Sequence, residues 1–227
     1  MLPDGLIIGD SHCTALKAGC DAHGLQTDML RFSGNFWHSG HVLFHAQHGV
    51  WVRGLPAMQA HILAMREKFG GRSLISRDIP VIASMGYHMG RIVPPFGMNG
   101  HVTAAEAFAA DPDSSYASDA LVDAYVAEFR AGHIRMAQRM ARNSPMVMVV
   151  PPRLFPGSNY DRFTSVLSRR LASVGVRLFD PAQTLFADRQ GLAADYITPD
   201  GVHGNDRYGA EVIGQMIAQG MIGKRAA

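Results

Sequence analysis

The chain has 227 residues, with 21 Lys plus Arg against 19 Asp plus Glu, for a formal net charge of +2. Its 47% hydrophobic content supplies a core able to bury about 70% of the unfolded surface, so neither a metal nor a disulfide is needed for folding. The small charge excess and the absence of any Lys/Arg block exclude nucleic-acid binding driven by overall charge, and the ordinary apolar content excludes wholesale disorder.

The chain opens MLPDGLIIGDSH. No basic stretch precedes a long apolar run and no small-residue cleavage pattern follows one, so no secretory leader is read. No apolar run approaches the roughly 20 residues of a membrane span, so membrane insertion is not expected. Residues 6–9 predict a short buried strand ending in a turn, and residues 12–23 a helix stopped by Gly24. Cys13 and Cys20 would lie roughly 10 Å apart along that helix, too far for a disulfide. Free thiols and a cytoplasmic location are expected. Residues 27–32 predict a second strand, and residues 33–50, rich in Gly, His and aromatic side chains, an irregular segment.

Pro56 opens a helical stretch through Lys68, proline being favoured in the first turn. Residues 79–85 (IPVIASM) predict a third strand, followed by a long connection over 86–113; whether that connection is a lid is left open. Residues 118–142 carry a 3.6-residue apolar period through Leu121, Val122, Tyr125, Val126, Phe129, Ile134 and Met136. Residues 146–150 (MVMVV) form an apolar strand closed by Pro151-Pro152; 159–174 read as helix, 176–179 as a fifth strand and 206–221 as a last helix. Strands that are apolar throughout, alternating with helices, predict a parallel sheet covered on both faces. The expectation is one α/β domain over 1–227: a three-layer α/β/α, flavodoxin-like arrangement around a mainly parallel five-stranded sheet. Its ligands would bind at the carboxyl ends of the strands.

Chemistry concentrates at two distant places. The first strand ends Gly9-Asp10-Ser11-His12. A serine at a strand-to-helix turn exposes its hydroxyl beside free backbone N–H groups, which suits a nucleophile and an oxyanion; by itself Ser11 also reads as a helix N-cap. Near the other end stands Thr198-Pro199-Asp200-Gly201-Val202-His203-Gly204. An Asp three residues before a His can fix the imidazole tautomer and leave the other ring nitrogen as a base; the fragment also reads as a Pro-Asp-Gly turn with a surface histidine.

Together, IIGDSH and DGVHGNDRYGAEVIGQ resemble the two ends of SGNH or GDSL-type serine hydrolases. The resemblance implies Ser11 as nucleophile, Asp200 as orienting carboxylate and His203 as general base, with Asp10 supporting the nucleophile turn. For the oxyanion hole it implies the Ser11 N–H and a glycine N–H after the second strand, taken as Gly34 with Gly40 as the fallback. It also implies an Asn side chain after the third strand. That third segment departs: it reads Gly86-Tyr87-His88-Met89-Gly90, with Gly86 in place and no Asn. His88, or Asn35, is the expected substitute, since an imidazole can donate an N–H. The implied activity is a carboxylic-ester hydrolase, with no cofactor or metal. Its partner would be a small-molecule or carbohydrate ester, and no nucleic acid.

Other constellations compete. The absent Asn leaves an acyltransferase or a non-catalytic carbohydrate-binding protein of the same fold open. Asp10-Ser11-His12 also reads as the D-x-H opening of a binuclear metallophosphoesterase. Such a site needs a shared carboxylate between cations about 3.5–4 Å apart, and residues 13–85 contain no G-D-x-x-D segment to supply it. His38, His41, His45 and His48 have helical spacing, but Gly40 and Gly49 interrupt them, so scattered surface or loop histidines are expected rather than metal ligands. Trp37 and Trp51 read as packing or cleft-lining residues. Arg31, Arg53, Arg91 and Arg153 read as surface or structural groups with a capacity for anions.

Overall fold

Apolar residues on both sides of each central strand decide the architecture of the computed structural model, which describes residues 2–38, 40–88, 101–102, 109, 115–154, 159–187 and 191–224. Five strands form one sheet: β1 (Gly5–Gly9), β2 (Thr27–Arg31), β5 (Val81–Ser84), β8 (Met146–Val149) and β9 (Arg177–Phe179). Their order is β2-β1-β5-β8-β9 and every pairing is parallel. Side chains alternate across a strand. Leu6, Ile8, Val81, Ala83, Met146 and Met148 therefore point into one buried layer, while Ile7, Ile82, Val147 and Val149 point into the other. This is the expected three-layer α/β/α arrangement.

One layer is covered by α3 (Pro56–Lys68), α4 (Asp119–Phe129), α5 (Ala131–Asn143) and α6 (Asn159–Ser173), and the other by α1 (Cys13–Ala22) and α8 (Asp206–Ala218). Helices α1 and α8 approach very closely. A Cβ on Gly209 would stand 1.8 Å from the Ala15 carbonyl oxygen, and one on Gly19 would stand 2.2 Å from the Gly209 oxygen. Only glycine permits that separation. Cys13 and Cys20 are free and buried in this layer.

Two expectations change. The segment 33–50 is not wholly irregular: it contains the short helix α2 (Gly34–His38) and the first strand of an antiparallel hairpin, β3 (Val42–His45) with β4 (Gly49–Val52). Val42-Leu43-Phe44 is strand-like in the sequence but short and flanked by histidines, and Gly49 takes the positive φ of 81° that the turn requires. The stretch 118–142 is two helices rather than one, broken at Arg130 (φ −109°, ψ 5°). There the side chain leaves the surface and runs inward. The short helix α7 (Pro181–Thr184), capped by Asp180, and a 3₁₀ turn at Ala194–Tyr196 escape sequence reading because each is about one turn long. Two-residue strands β6 (His101–Val102) and β7 (Ser115–Tyr116) pair apart from the main sheet. Apart from residues 101–102 and 109, the connection 86–113 beyond residue 88, Arg91 included, lies outside the described residues, as does the question of a lid. Among the described residues no helix is long and apolar enough to cross a membrane.

Candidate active site

The carboxyl end of β1 carries the first part of the site. A Cβ on Gly9 would lie 1.8 Å from the Ser84 oxygen, so glycine is what allows β1 and β5 to close at this point. The chain then turns through Asp10, Ser11 and His12 into α1. Asp10 is 1% exposed; its N–H donates to the Ser84 carbonyl at 2.9 Å, and its Oδ1 accepts the His12 N–H at 3.1 Å. That bond ties the two ends of the nucleophile turn together. Burial pushes the Asp10 carboxyl up to about 6, against the lowering effect of the His12 N–H.

Ser11 does not cap α1. The N-cap position is His12, and no side chain there accepts a helix N–H. The Ser11 hydroxyl instead lies 2.7 Å from His203 Nε2. His203 Nδ1 is 2.7 Å from Asp200 Oδ2, so a proton on Nδ1 is donated to the carboxylate and Nε2 is left to accept from Ser11. The other carboxylate oxygen, Asp200 Oδ1, accepts from the Thr198 hydroxyl at 2.5 Å, from Val202 N–H at 2.8 Å and from His203 N–H at 3.2 Å. Those bonds, with the Thr198 hydroxyl first, hold the Asp200 carboxyl well below the usual carboxylate range. The fragment is thus both the tight turn and the histidine-orienting device. Gly201 supplies its positive φ of 71°, and Thr198 N–H closes it on the His203 carbonyl at 2.9 Å. Asn205 then caps α8 by accepting from Tyr208 N–H at 3.0 Å.

The second and third segments meet each other, with His88 near enough to His12 for their charges to interact. Gly34 is buried at the start of α2, and a Cβ there would stand 2.1 Å from His88 Cγ and 2.6 Å from His88 Nδ1. The His88 ring therefore lies flush against the Gly34 backbone. Gly86 is buried, with a φ of 88° that favours glycine. Tyr87 points into the core, 1% exposed, with its hydroxyl 2.9 Å from Ser168 Oγ. The fallback Gly40 is exposed with nothing within 4 Å of where a Cβ would be, so it does not join this cluster. The Asn35 side chain lies outside the described residues.

Two residues at the site carry no role in the hydrolase reading of the sequence. The His12 ring is tilted against His203 with centroids 5.0 Å apart. Burial, and then the neighbouring His203 and His88 charges, lower its pKa to about 4, so it is neutral at pH 7. Its position next to the nucleophile was the available signal. The other is Arg130, which donates to the carbonyls of both Gly86 and His88; it lay hidden in the middle of a helical apolar period.

A cleft of about 620 Å³ opens beside Ser11, lined by Thr14, Arg31, Thr198, His203 and Arg207 among others. Arg31 donates to Thr14 Oγ1 at 3.0 Å, and Arg207 pairs with Asp195. Arg153 pairs with Asp161 away from this cleft. The histidines of 38–48 are not brought to Ser11 as a group. His41 Nδ1 is 2.9 Å from the Arg53 carbonyl oxygen. His45 and His48 stack at 4.6 Å beside Trp51 on the hairpin. The His38 side chain lies outside the described residues. Trp37 is 5% exposed and meets Phe32 edge-on at 5.3 Å. Among the described residues no group of three or more His, Cys, Asp or Glu has the geometry to hold a metal ion.

Such an arrangement can deprotonate a serine hydroxyl as it attacks and hold the resulting imidazolium against a carboxylate. No protein-family model matches the chain, and no curated protein matches it. Solved structures similar to it include the psychrotrophic esterase EstA from Pseudoalteromonas sp. (14% identity, 95% of this chain and 97% of that one, TM-score 0.45). A member of the lipolytic protein G-D-S-L family from Veillonella parvula is also similar (12% identity, 94% and 95%, TM-score 0.46). A third is a variant of Axe2, an acetyl xylan esterase from Geobacillus stearothermophilus (10% identity, 98% and 95%, TM-score 0.43).

Proposed function

We propose that the chain is a serine ester hydrolase acting on small acyl esters. The observation that carries this is the unbroken line Ser11 Oγ, His203 Nε2, His203 Nδ1, Asp200 Oδ2, with both hydrogen-bond distances at 2.7 Å. Ser11 Oγ attacks the acyl carbonyl carbon while His203 Nε2 takes its proton, and Asp200 accepts from Nδ1 and stabilises the imidazolium. The carbonyl oxygen becomes an oxyanion, received by the N–H groups of Ser11 and Gly34 and by a ring N–H of His88. The tetrahedral species collapses, the ester C–O bond breaks, and the alcohol leaves with the proton held on His203. A water molecule then attacks the acyl-serine through the same base and frees the acid.

Asp10 and Gly86 support this machinery by shaping the turns that carry Ser11 and His88. The polar side chains on the cleft walls, Thr14, Arg31 and Thr198 among them, favour an ester of a polar alcohol such as an acylated sugar over a long lipid. The test is labelling with a fluorophosphonate probe. Wild-type protein becomes labelled and the Ser11→Ala variant does not; labelling that survives the substitution removes Ser11 as nucleophile. Supplying an alcohol acceptor during turnover separates hydrolysis from acyl transfer.

A further inference from the structure

A cation taken out of water needs partners that replace its hydration. Arg130 is 1% exposed, and among the described residues no carboxylate pairs with it. Its partners are carbonyl oxygens. Nε donates to Gly86 at 2.8 Å, one terminal nitrogen to His88 at 2.7 Å and the other to Phe129 at 3.5 Å. The guanidinium also lies over the Phe163 ring, with Cζ 5.1 Å from the centroid. Burial lowers its pKa to about 10, which leaves it charged at neutral pH.

The two shorter bonds reach carbonyls two residues apart in the segment that follows β5. A planar fork with several fixed donors spans such a pair; a lysine ammonium on a flexible stem does not hold both in one geometry. Between them Tyr87 is anchored inward on Ser168, so the segment is held at three consecutive residues. Its product is the half-buried His88 ring, seated flush on Gly34 and near enough to His12 for their charges to interact.

We propose that Arg130 is the positioning residue of the oxyanion site: by gripping the Gly86 and His88 carbonyls it fixes the His88 ring over Gly34, in a segment that lacks an Asn-Asp pair. The inference rests on the ester-hydrolase reading above. It explains why a helical run breaks at residue 130 and sends a charged side chain into the core.

The experiment compares Arg130→Lys and Arg130→Gln with wild type, each rate normalised to the sites titrated by fluorophosphonate. Expected is a fall in kcat of about 10–100-fold per titrated site with KM held within about threefold, the signature of misplaced transition-state contacts. In a His88→Ala background the same substitutions lose most of that effect, because both act on one contact. The His88 imidazole resonances of ¹⁵N-labelled protein shift or broaden in the Arg130 variants. Unchanged kcat per titrated site, or losses that multiply fully with His88→Ala, overturns the proposal. If wild type is not labelled at all, the ester reading fails instead, and the His88 resonances still decide whether Arg130 positions that ring. If both variants fail to fold, the wild-type Arg130 Nε–H is read. Its solvent exchange is expected to be more than about tenfold slower than at exposed arginines, and exchange at the exposed rate overturns the proposal.

Discussion

Ser11 Oγ and His203 Nε2 lie 2.7 Å apart although 192 positions separate them in the chain. Both residues stand at the entries of two helices that meet. Ser11 precedes α1 and His203 precedes α8, and those helices touch backbone to backbone at Ala15, Gly19 and Gly209. A pair of residues that must stay at hydrogen-bond distance is thus mounted on the tightest interhelical contact in its layer.

Breaking this line is expected to be costly in kcat. The His203→Ala variant is expected to lose about 10³–10⁴-fold in ester turnover, and Asp200→Asn a comparable amount, because the wrong tautomer leaves Nε2 protonated. Thr198→Val is a milder change. Its hydroxyl is the first cause holding Asp200 low, followed by the Val202 N–H and the His203 ring. With the N–H bonds retained, Asp200 stays ionised at neutral pH, and the loss at pH 7 is expected to stay below about tenfold. A depressed carboxyl pKa means that ionisation is lost only as pH falls below the ordinary carboxylate range. The Thr198→Val defect therefore grows towards acid pH rather than towards alkaline pH. Rates from pH 4 to 9 check this; a defect of constant size would remove Thr198 from the account.

The helices and the parallel strands of the main sheet were legible because continuous apolar strands and 3.6-residue periods are local signals. Pro56–Lys68 matches its expected bounds, and the first four residues of MVMVV form the buried β8. Ser11, Asp200 and His203 were expected because their two fragments together resemble the ends of SGNH or GDSL-type hydrolases; each fragment alone also reads as a helix cap or a turn, and only the fold brings the two together. Arg130 was not, because a charged residue inside an amphipathic period reads as solvated surface, and only the tertiary path of 86–88 gives it partners. His12 was not, because its neighbours His203 and His88 come from remote turns. The hairpin was not read because the strand-like run Val42-Leu43-Phe44 is only three residues long and is flanked by His41, His45 and His48.

Gly34 and His88 form the next testable pair. A Cβ on Gly34 would stand 2.3 Å from His88 Cδ2, so Gly34→Ala must displace the ring. Activity per titrated site is expected to fall by about 10²–10³, as on losing one oxyanion donor. His88→Ala should fall by a similar amount, and the double variant little further. Steady-state kinetics on an acetyl ester reads all three; a double variant showing the full product of the two losses would separate Gly34 from His88.

Asp10 predicts a pH-dependent stability change. Its folded carboxyl pKa is raised to about 6 from an ordinary 3.8, chiefly by burial. Between those values the folded chain holds a proton that the unfolded chain has released. Stability therefore falls as pH rises through this window, and the whole cost stands above it. Asp10→Asn keeps an oxygen to accept the His12 N–H and carries no charge. It is expected to be more stable than wild type at pH 8 by about 1–3 kcal/mol, with the advantage fading as pH falls towards 4. Urea unfolding at pH 4, 6 and 8 measures this, and a difference independent of pH would mean that ionisation of Asp10 carries no such cost.

The glycine contact between α1 and α8 gives a prediction that joins fold to site. Adding one methyl at Gly209 places it 1.8 Å from the Ala15 oxygen and 2.6 Å from its carbon. These are backbone atoms, so no rotamer change relieves the clash and the helices must separate. Overpacking of this kind costs about 1–3 kcal/mol or more, so Gly209→Ala is expected to lower the unfolding midpoint clearly. Because Ser11 and His203 enter these same helices, the separation also lengthens their 2.7 Å contact, and kcat per titrated site is expected to fall by at least about tenfold. Gly214→Ala on the same helix is the control. A Cβ there meets only the His23 ring, at 3.1 Å, and that exposed side chain can move aside. Full activity per site in Gly209→Ala, despite a lowered midpoint, would show that the Ser11–His203 distance is set by the loops and not by the helix contact.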